Sequence, residues 1–563
     1  MNYLKIFSFF QLFNILIIIK SIDIQEDTIQ KNASVYYIKT TGKYKVIEGV
    51  FDKMAAAYAT YTPSYETKGW DFLTLSSYDG IDDKYSDEVK NYAMGYLEGV
   101  LTYKRIYPSY FNLNNYKYYQ NKGVMPNSTY EFFQKNLQFM KEMTTKYKDT
   151  DPYWHEVNNL YMQMRGLHEG YNSKAPPNEK IDLVHFQTVI SLGDVDEIGN
   201  WKKENRPDYS KMTTEELIEY IDLRSHCSAI MKVADDFSDV WFGHNTWTTY
   251  NKLIRIYKEY KYVPNSAFPI KSKTITMSSY PAAVNSQDDF YITDANLYVT
   301  ETTNHVFDLN LFDLLDPNTL MCWMRTMVAN RLTDDGYSWT QIFSKYNSGT
   351  YNNQFQILDL KLIDTTNKKI EPGALYIVEQ LPGSCDAEDV TEHLKKGYWP
   401  SYNTPYINAV REKSGIIDAI IENPNITITQ DYDTCARAKI FRRDYSKVKD
   451  IKSYENLIRY NDFQNDEFSE GIPNYSIAAR YDLNENSPTC YGATDAKFAS
   501  INEIKTTGKK IVHIISGPTT SNNLESFKWD KAPCRLVDEI RFKVIGQVNE
   551  YNFDWIDYEL KLW

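Results

Sequence analysis

The hydrophobic period changes along this 563-residue chain, and the change limits the fold more than any other feature of the sequence. From residue 85 to about residue 171 apolar side chains recur at three and four spacing. They do so in three blocks, YSDEVKNYAMGYLEGVLTYKRIY, STYEFFQKNLQFMKEMTTKYK and DPYWHEVNNLYMQMRGLHEGY, which predict three helices. Ser128 and Asp151 stand where the second and third would take their N-caps. From Cys227 onward the period shortens. CSAIMKV, DVWFGHN, FQILDLKLI and ALYIVEQL read as strands, the third alternating over residues 358–362. WTTYNKLIRIYKEY and NTLMCWMRTMVANRL between them read as helices. Helices and strands in clusters, rather than in strict alternation, predict an α+β layered core with the N-terminal helices outside it. No repeat of fixed period and no Pro- or Ser-rich linker divides the chain.

Composition narrows the function classes. With 42% hydrophobic and 24% charged residues the chain is a folded globular protein. Its 62 Lys plus Arg against 75 Asp plus Glu give a net charge of −13, which removes the electrostatic footprint of a nucleic-acid binder. The 15% aromatic content comes largely from 47 Tyr, whose rings with polar tips suit half-wet packing surfaces better than they argue for carbohydrate stacking.

The first residues, MNYLKIFSFFQLFNILIIIKSIDIQ, place Lys5 before an apolar run over 6–19 and follow it with Lys20, Ser21 and Asp23. That is the layout of a secretory signal, residues 1–21. At 1.5 Å per residue the run falls short of the ~30 Å hydrocarbon core, and no later stretch is long and apolar enough to span one. The expected location is therefore outside the cytosol, where the sequons at Asn32, Asn127, Asn425 and Asn474 become glycan sites.

Six cysteines in so long a chain do not make a disulfide scaffold. Cys322 lies in a helix-like apolar block and reads as an inert core residue. Cys385, Cys435, Cys490 and Cys534 stand in loop-like contexts where pairs can form, which leaves Cys227 over.

Familiar catalytic signatures are missing. GYSWT at Gly336 lacks the final Gly of a G-x-S-x-G elbow, and Asn159 replaces the second histidine that a zinc-binding H-E-x-x-H would need after His155 and Glu156. There is no dinucleotide or Walker loop, and NSGTYNNQ at 347–354 reads as a structural turn, so no cofactor or metal is implied. What remains is RSHCSAIMKVADDFSDVWFGHNTW. A hairpin of SAIMKV with DVWFGH turns near Asp236 and brings His244 within about two positions of facing Cys227, where Cβ atoms lie ~5 Å apart. A thiol and an imidazole can meet there. A buried Cys beside a hydrogen-bonded His is the plain structural alternative.

Ordered stretches from about residue 35 to the C-terminus resemble the phospholipase B-like, or lamina ancestor, family. They are YLEGVLTYKRIY at Tyr96, DPYWHEVNNLYMQMRGLHEGY at Asp151, GHNTW at Gly243, SSYP at Ser278, DDFYI at Asp288 and ETT at Glu301. Further on come MVANRL, FSKYNSGTYNNQ, VEQLPG, GYWPSYNTPY, RAKIFRRD, RYNDF, AARYDLN and ISGPT. The resemblance implies the αββα sandwich of N-terminal nucleophile hydrolases. It implies a cut between His226 and Cys227, giving a mostly helical fragment 22–226 and a catalytic fragment 227–563 that stay associated. Cys227 then matches the nucleophile, its new α-amino group the base, His244 the histidine beside it, Trp247 the pocket wall, Asn403 the oxyanion donor and Arg437 a nearby cation. One departure is local: Ala436 stands where the family usually has Pro before this Arg. The implied activity is hydrolysis of fatty acyl esters of glycerophospholipids by a secreted or lysosomal enzyme. An amidase on N-acyl or peptide-like substrates, and a processed lipid-binding glycoprotein of little activity, are the alternatives, because a fold does not fix a substrate.

Overall fold

The three amphipathic blocks fold as helices Asp87–Lys117, Asn127–Tyr147 and Pro152–Lys174 in the computed structural model, which describes residues 29–80, 84–224, 227–265, 268–505 and 509–563. The signal segment 1–21 lies outside the described residues. Asp151 caps the third helix, accepting from Tyr153 N at 2.8 Å. Ser128 caps nothing. The second helix begins directly after Pro126, whose ring holds its own φ at −59° and leaves Ser128 inside the first turn. The first and third helices run parallel and close together because Gly95 and Gly99 face Gly166 and Gly170; a Cβ at any of the four would strike the facing backbone.

An eleven-stranded sheet lies under these helices. Its spatial order is Ser384–Asp389, Leu375–Leu381, Asn353–Asp359, Leu297–Thr303, Phe290–Thr293, Thr274–Ser279, Ile256–Lys261, Asp71–Ser77, Ala57–Thr62, Lys31–Ile38 and Lys43–Glu48. All pairs are antiparallel except Asp71–Ser77 with Ile256–Lys261, which joins four N-terminal strands to the rest. Those four strands precede the helical blocks and were not foreseen from the sequence. A six-stranded antiparallel sheet runs in the order Tyr398–Ser401, Ser228–Val233, Val240–Asn245, Asp495–Ser500, Ile511–Ser516 and Ile556–Glu559. Its second and third strands form the expected hairpin, with Val233 facing Val240 and Ala229 facing His244.

Two segments differ from their sequence reading. WTTYNKLIRIYKEY is not a helix but a short strand Trp247–Thr249, a 3₁₀ turn Tyr250–Lys252 and the strand Ile256–Lys261. The latter is buried on both faces, so its apolar residues follow no two-residue alternation. FQILDLKLI is a strand only as far as Asp359, whose carboxylate accepts from Lys361 N at 3.0 Å and turns Leu360–Leu362 into a 3₁₀ turn.

The sheets pack face to face. Along the hairpin Met231, Val233, Val240 and Phe242 enter the main core, with Phe242 4.5 Å from the Tyr298 ring of the large sheet. Alternate residues Ile230 and Trp241 enter a second core with Phe441, Tyr454 and Phe498, under helices Ala436–Asp444 and Ile451–Ile458. On the far face of the large sheet Trp339, from helix Gly336–Phe343, meets Phe355 at 5.4 Å. The layers are therefore helix, sheet, sheet, helix. Ala33 and Leu560 belong to the same core, so the N- and C-terminal parts are one body.

The cysteines settle differently from the four-way pairing entertained above. Cys490 and Cys534 form a disulfide, while Cys385 lies in the strand Ser384–Asp389 and Cys435 is buried, both as free thiols. Among the described residues no helix is long and apolar enough to cross a membrane.

Candidate active site

Cys227 comes immediately before the strand Ser228–Val233, 1% exposed and at φ 84°. Positive φ is rare for a side chain with a Cβ, and such a residue holds about 1–3 kcal/mol of backbone strain. His226, on the other side of the expected cut, lies outside the described residues. The adjacent strand carries His244, and the large sheet contributes Glu301. The Cys227 Sγ, a ring nitrogen of His244 and a carboxylate oxygen of Glu301 all lie within 4.8 Å of one another.

All three are driven toward their neutral forms. Burial, and then the Glu301 charge, push the Cys227 thiol well above its ordinary value, although the Lys497 ammonium and the Trp247 backbone N–H directed at the sulfur work the other way. Burial, and then Lys497, push His244 well below the usual imidazole range. Burial, and then Asp289, raise Glu301 well above an ordinary carboxylate. Thiolate, imidazole and carboxylate are also donor types that ligate zinc, and three so close can hold a divalent ion. The Lys497 charge, felt by all three, opposes a second cation there.

The other expected residues gather round the same point. Arg437 is buried over the Trp247 indole, 4.2 Å from its centroid, and donates from Nη1 to the Cys227 carbonyl at 2.7 Å and from Nη2 to the Tyr402 carbonyl at 2.9 Å. It thus ties the nucleophile candidate to the residue before Asn403. Trp247 is anchored in turn by Nε1 donating to Ile477 O at 3.1 Å. Asn403 sits at φ 70°, a conformation Asn tolerates better than most residues, and its Nδ2 donates to Thr303 O at 2.7 Å. Ala436 takes the first position of helix Ala436–Asp444, a position that also favours Pro, so the departure noted above leaves the helix start intact.

Sequence reasoning did not single out Glu301, nor a buried ionic group beside it. Arg255 Nη2 meets Asp288 at 2.6 Å and its Nη1 pairs with Asp495. Lys497 Nζ meets Asp288 at 2.7 Å and Asp495 at 3.0 Å. Thr246 joins the two groups, donating from Oγ1 to Asp288 Oδ2 at 2.7 Å and lying 3.4 Å from His244 Nδ1. The signal available was charge inside strand-like runs, such as Lys497 in DAKFAS.

A cavity of about 30 Å³ is lined by Cys227, Thr246, Trp247, Lys252, Asp288 and Tyr351, among others. That is room for roughly one water. Of the sequons, Asn127 and Asn425 are exposed. Asn32 is half-buried and accepts from Thr60 Oγ1 at 2.9 Å, and Asn474 lines an internal cavity beside Arg437.

A family model described as Phospholipase B matches residues 57–558. The chain is similar to Phospholipase B-like protein D of Dictyostelium discoideum, 34% identical over 524 residues that cover 92% of this chain and 89% of the relative. It is similar to Phospholipase B-like 1 of Bos taurus, 34% identical over 534 residues and 93% of each chain. Phospholipase-B 81 of Drysdalia coronoides is 33% identical over 532 residues, 93% of this chain and 92% of the relative.

Proposed function

We propose that this chain, which belongs to the phospholipase B family, hydrolyses fatty acyl esters of glycerophospholipids after its own backbone is cut between His226 and Cys227. The observation that carries this reading is the meeting of a strained Cys227 with His244 and Glu301 at one buried point. The helix–sheet–sheet–helix layering supports reading the fold as an N-terminal nucleophile hydrolase sandwich.

In the uncut chain the thiol is protonated and the cavity too small for an ester with its acyl chain. Attack of Sγ on the His226 carbonyl carbon forms a thioester and breaks the peptide C–N bond, the thiol proton passing to the departing nitrogen. Water then hydrolyses the thioester, leaving a His226 carboxylate, a free thiol and a new α-amine on Cys227. An α-amine titrates near ~7.7–8.0, far closer to a thiol than a lysine does, so it exchanges a proton with the sulfur at little cost. The freed thiolate attacks the ester carbonyl and the ester C–O bond breaks, the α-ammonium giving its proton to the departing glycerol oxygen. Water, deprotonated by the same α-amine, then hydrolyses the acyl thioester to a fatty acid and the free thiol. His244 orients the thiolate, the Asn403 amide donates to the oxyanion, and Arg437 holds the Cys227 carbonyl still.

The apolar leader and the Cys490–Cys534 disulfide fit an oxidising, secreted or lysosomal setting. The shared core supports two fragments that remain together, and exposure favours Asn127 and Asn425 as the glycan carriers. N-terminal sequencing of secreted protein, followed by assay on matched ester and amide substrates, tests the reading. Expected are two associated chains, the second beginning Cys-Ser-Ala-Ile-Met, and ester turnover. An uncut chain that turns over esters at full rate, or a cut chain that turns over only amides, overturns it.

A further inference from the structure

Next to the thiol cavity lies a second one of about 500 Å³, and the two share Asp196, Thr248 and Lys252 in their walls. Its lining carries four cations, Lys117, Arg224, Lys252 and Arg541, against one carboxylate, Asp196. Lys117 is paired with that carboxylate. The other three have no ion-pair partner among the described residues. Arg224 instead lies over the Tyr220 ring at 3.6 Å. Arg541 stacks on Tyr116 and Tyr119 at 4.6 and 4.9 Å and donates to the Tyr116 hydroxyl at 3.1 Å, and its buried Nε has no acceptor. Lys252 Nζ has no hydrogen-bond partner among the described residues. Burial, and then the like charge of Lys117, push it down to about 7, the opposite charge of Asp196 offsetting this only in part.

Three cations without an ion-pair partner among the described residues, converging on one cavity, make a site suited to an anion. In a protein of net charge −13 their convergence here is not an average property of the surface. The volume lies in the range of small-ligand sites. In a glycerophospholipid the ester carbonyl is only a few bonds from the phosphorus, which matches two cavities with a shared wall. We propose that the larger cavity holds the phosphodiester of a glycerophospholipid on Lys252 and Arg541 and so aims the acyl ester at Cys227. The proposal rests on the reading of Cys227 as nucleophile, and makes the enzyme select charged glycerophosphodiesters over neutral glyceryl esters.

Two measurements separate its failure from that of the catalytic reading. In Cys227→Ala protein, which needs no turnover, calorimetry compares glycerophosphocholine, inorganic phosphate and glycerol. The diester should bind tightest, and Lys252→Met or Arg541→Met should weaken it about tenfold or more, as loss of a charged hydrogen bond does. In processed enzyme, kcat/KM for a monoacyl glycerophosphodiester should exceed that for the monoacylglycerol of the same chain. Both variants should shrink that ratio about tenfold, and Lys252→Arg should restore most of it. Inorganic phosphate binding as tightly as the diester would overturn the assignment to substrate. An unchanged ratio in folded, cut Lys252→Met and Arg541→Met would overturn the site itself. Absence of turnover on both esters would sink the catalytic reading and leave the binding comparison to decide the cavity.

Discussion

Cys227, His244 and Glu301 on one side of Thr246, and Arg255, Asp288, Asp495 and Lys497 on the other, are all buried, yet they are treated in opposite ways. Burial drives the first group neutral. Burial opposes charge on Asp288 and Arg255 as well, but each has opposite charges in contact that outweigh it: Asp288 is held well below the ordinary carboxylate range and Arg255 above its own. The difference lies in partners rather than depth. A thiol so placed rests as the neutral SH, and under the proposed self-cleavage the released α-amine is the base that ionises it for attack on an ester. The charged group next door acts as scaffold, fixing the strand ends that carry His244 and Thr246.

The comparison breaks most sharply if the two groups exchange roles under mutation. Asp288→Ala should cost about 3–5 kcal/mol, because it leaves Arg255 and Lys497 buried beside a lost partner, and the precursor should melt far lower or fail to accumulate. Cys227→Ala should leave the precursor folded, its stability changed by no more than about 1 kcal/mol, while cutting and hydrolysis vanish. Thermal melts of both proteins, with a gel for the cut, measure the pair. A Cys227→Ala protein that still turns over esters, or an Asp288→Ala protein as stable as the parent, would collapse the distinction.

Asn403 sharpens it, since it touches both structure and the proposed chemistry. Asn403→Ala should lower kcat and kcat/KM together by about 10²- to 10³-fold with KM nearly constant, if its amide donates to the oxyanion. The lost bond to Thr303 O should cost about 1 kcal/mol of stability besides. Melting and turnover on already processed protein separate these effects. A lowered melting temperature with normal kcat would assign Asn403 to the scaffold.

Local pattern carried much of this architecture. The helical blocks were legible because their period and the Asp151 cap are properties of neighbouring residues, and the hairpin register that brings His244 near Cys227 followed from one turn. Ile256–Lys261 was misread because burial on both faces erases the alternation that marks a strand. The ionic scaffold was invisible for another reason: Lys497 and Asp288 are 209 residues apart, and nothing local distinguishes their meeting from two surface charges. Cysteine pairing failed in the same way, since the contexts of Cys385 and Cys435 look as loop-like as those of Cys490 and Cys534. Family resemblance supplied Asn403 and Arg437, which no spacing rule would bring to Cys227.

The smallest expected effect concerns the border of the two groups. Asp289 follows Asp288 in the chain yet belongs with the neutral set: burial first, and the Asp288 charge as well, push it up to about 8, against a hydrogen bond from Tyr291. A carboxyl raised on folding contributes stability that is fully present below its unfolded value, near 4, and is lost as pH rises through its folded value, here about 8. Asp288 has the opposite sign. Its contribution is present above pH 4 and is lost only as pH falls through a folded value well below the usual carboxylate range. Between about pH 4 and 8 the Asp288 contribution is therefore constant, while Asp289 is ionised in the unfolded chain and protonated in the folded one, so the melting temperature of Cys227→Ala precursor should fall across that window on Asp289's account. Above about pH 8 that fall should level off, because Asp289 is then ionised in both states. Asp289→Asn, which keeps the shape and cannot ionise, should flatten the fall between about pH 5 and 8. Should the variant lose stability as steeply as the parent across that window, Asp289 is already charged at neutral pH in the folded chain, and partners rather than burial decide its state too.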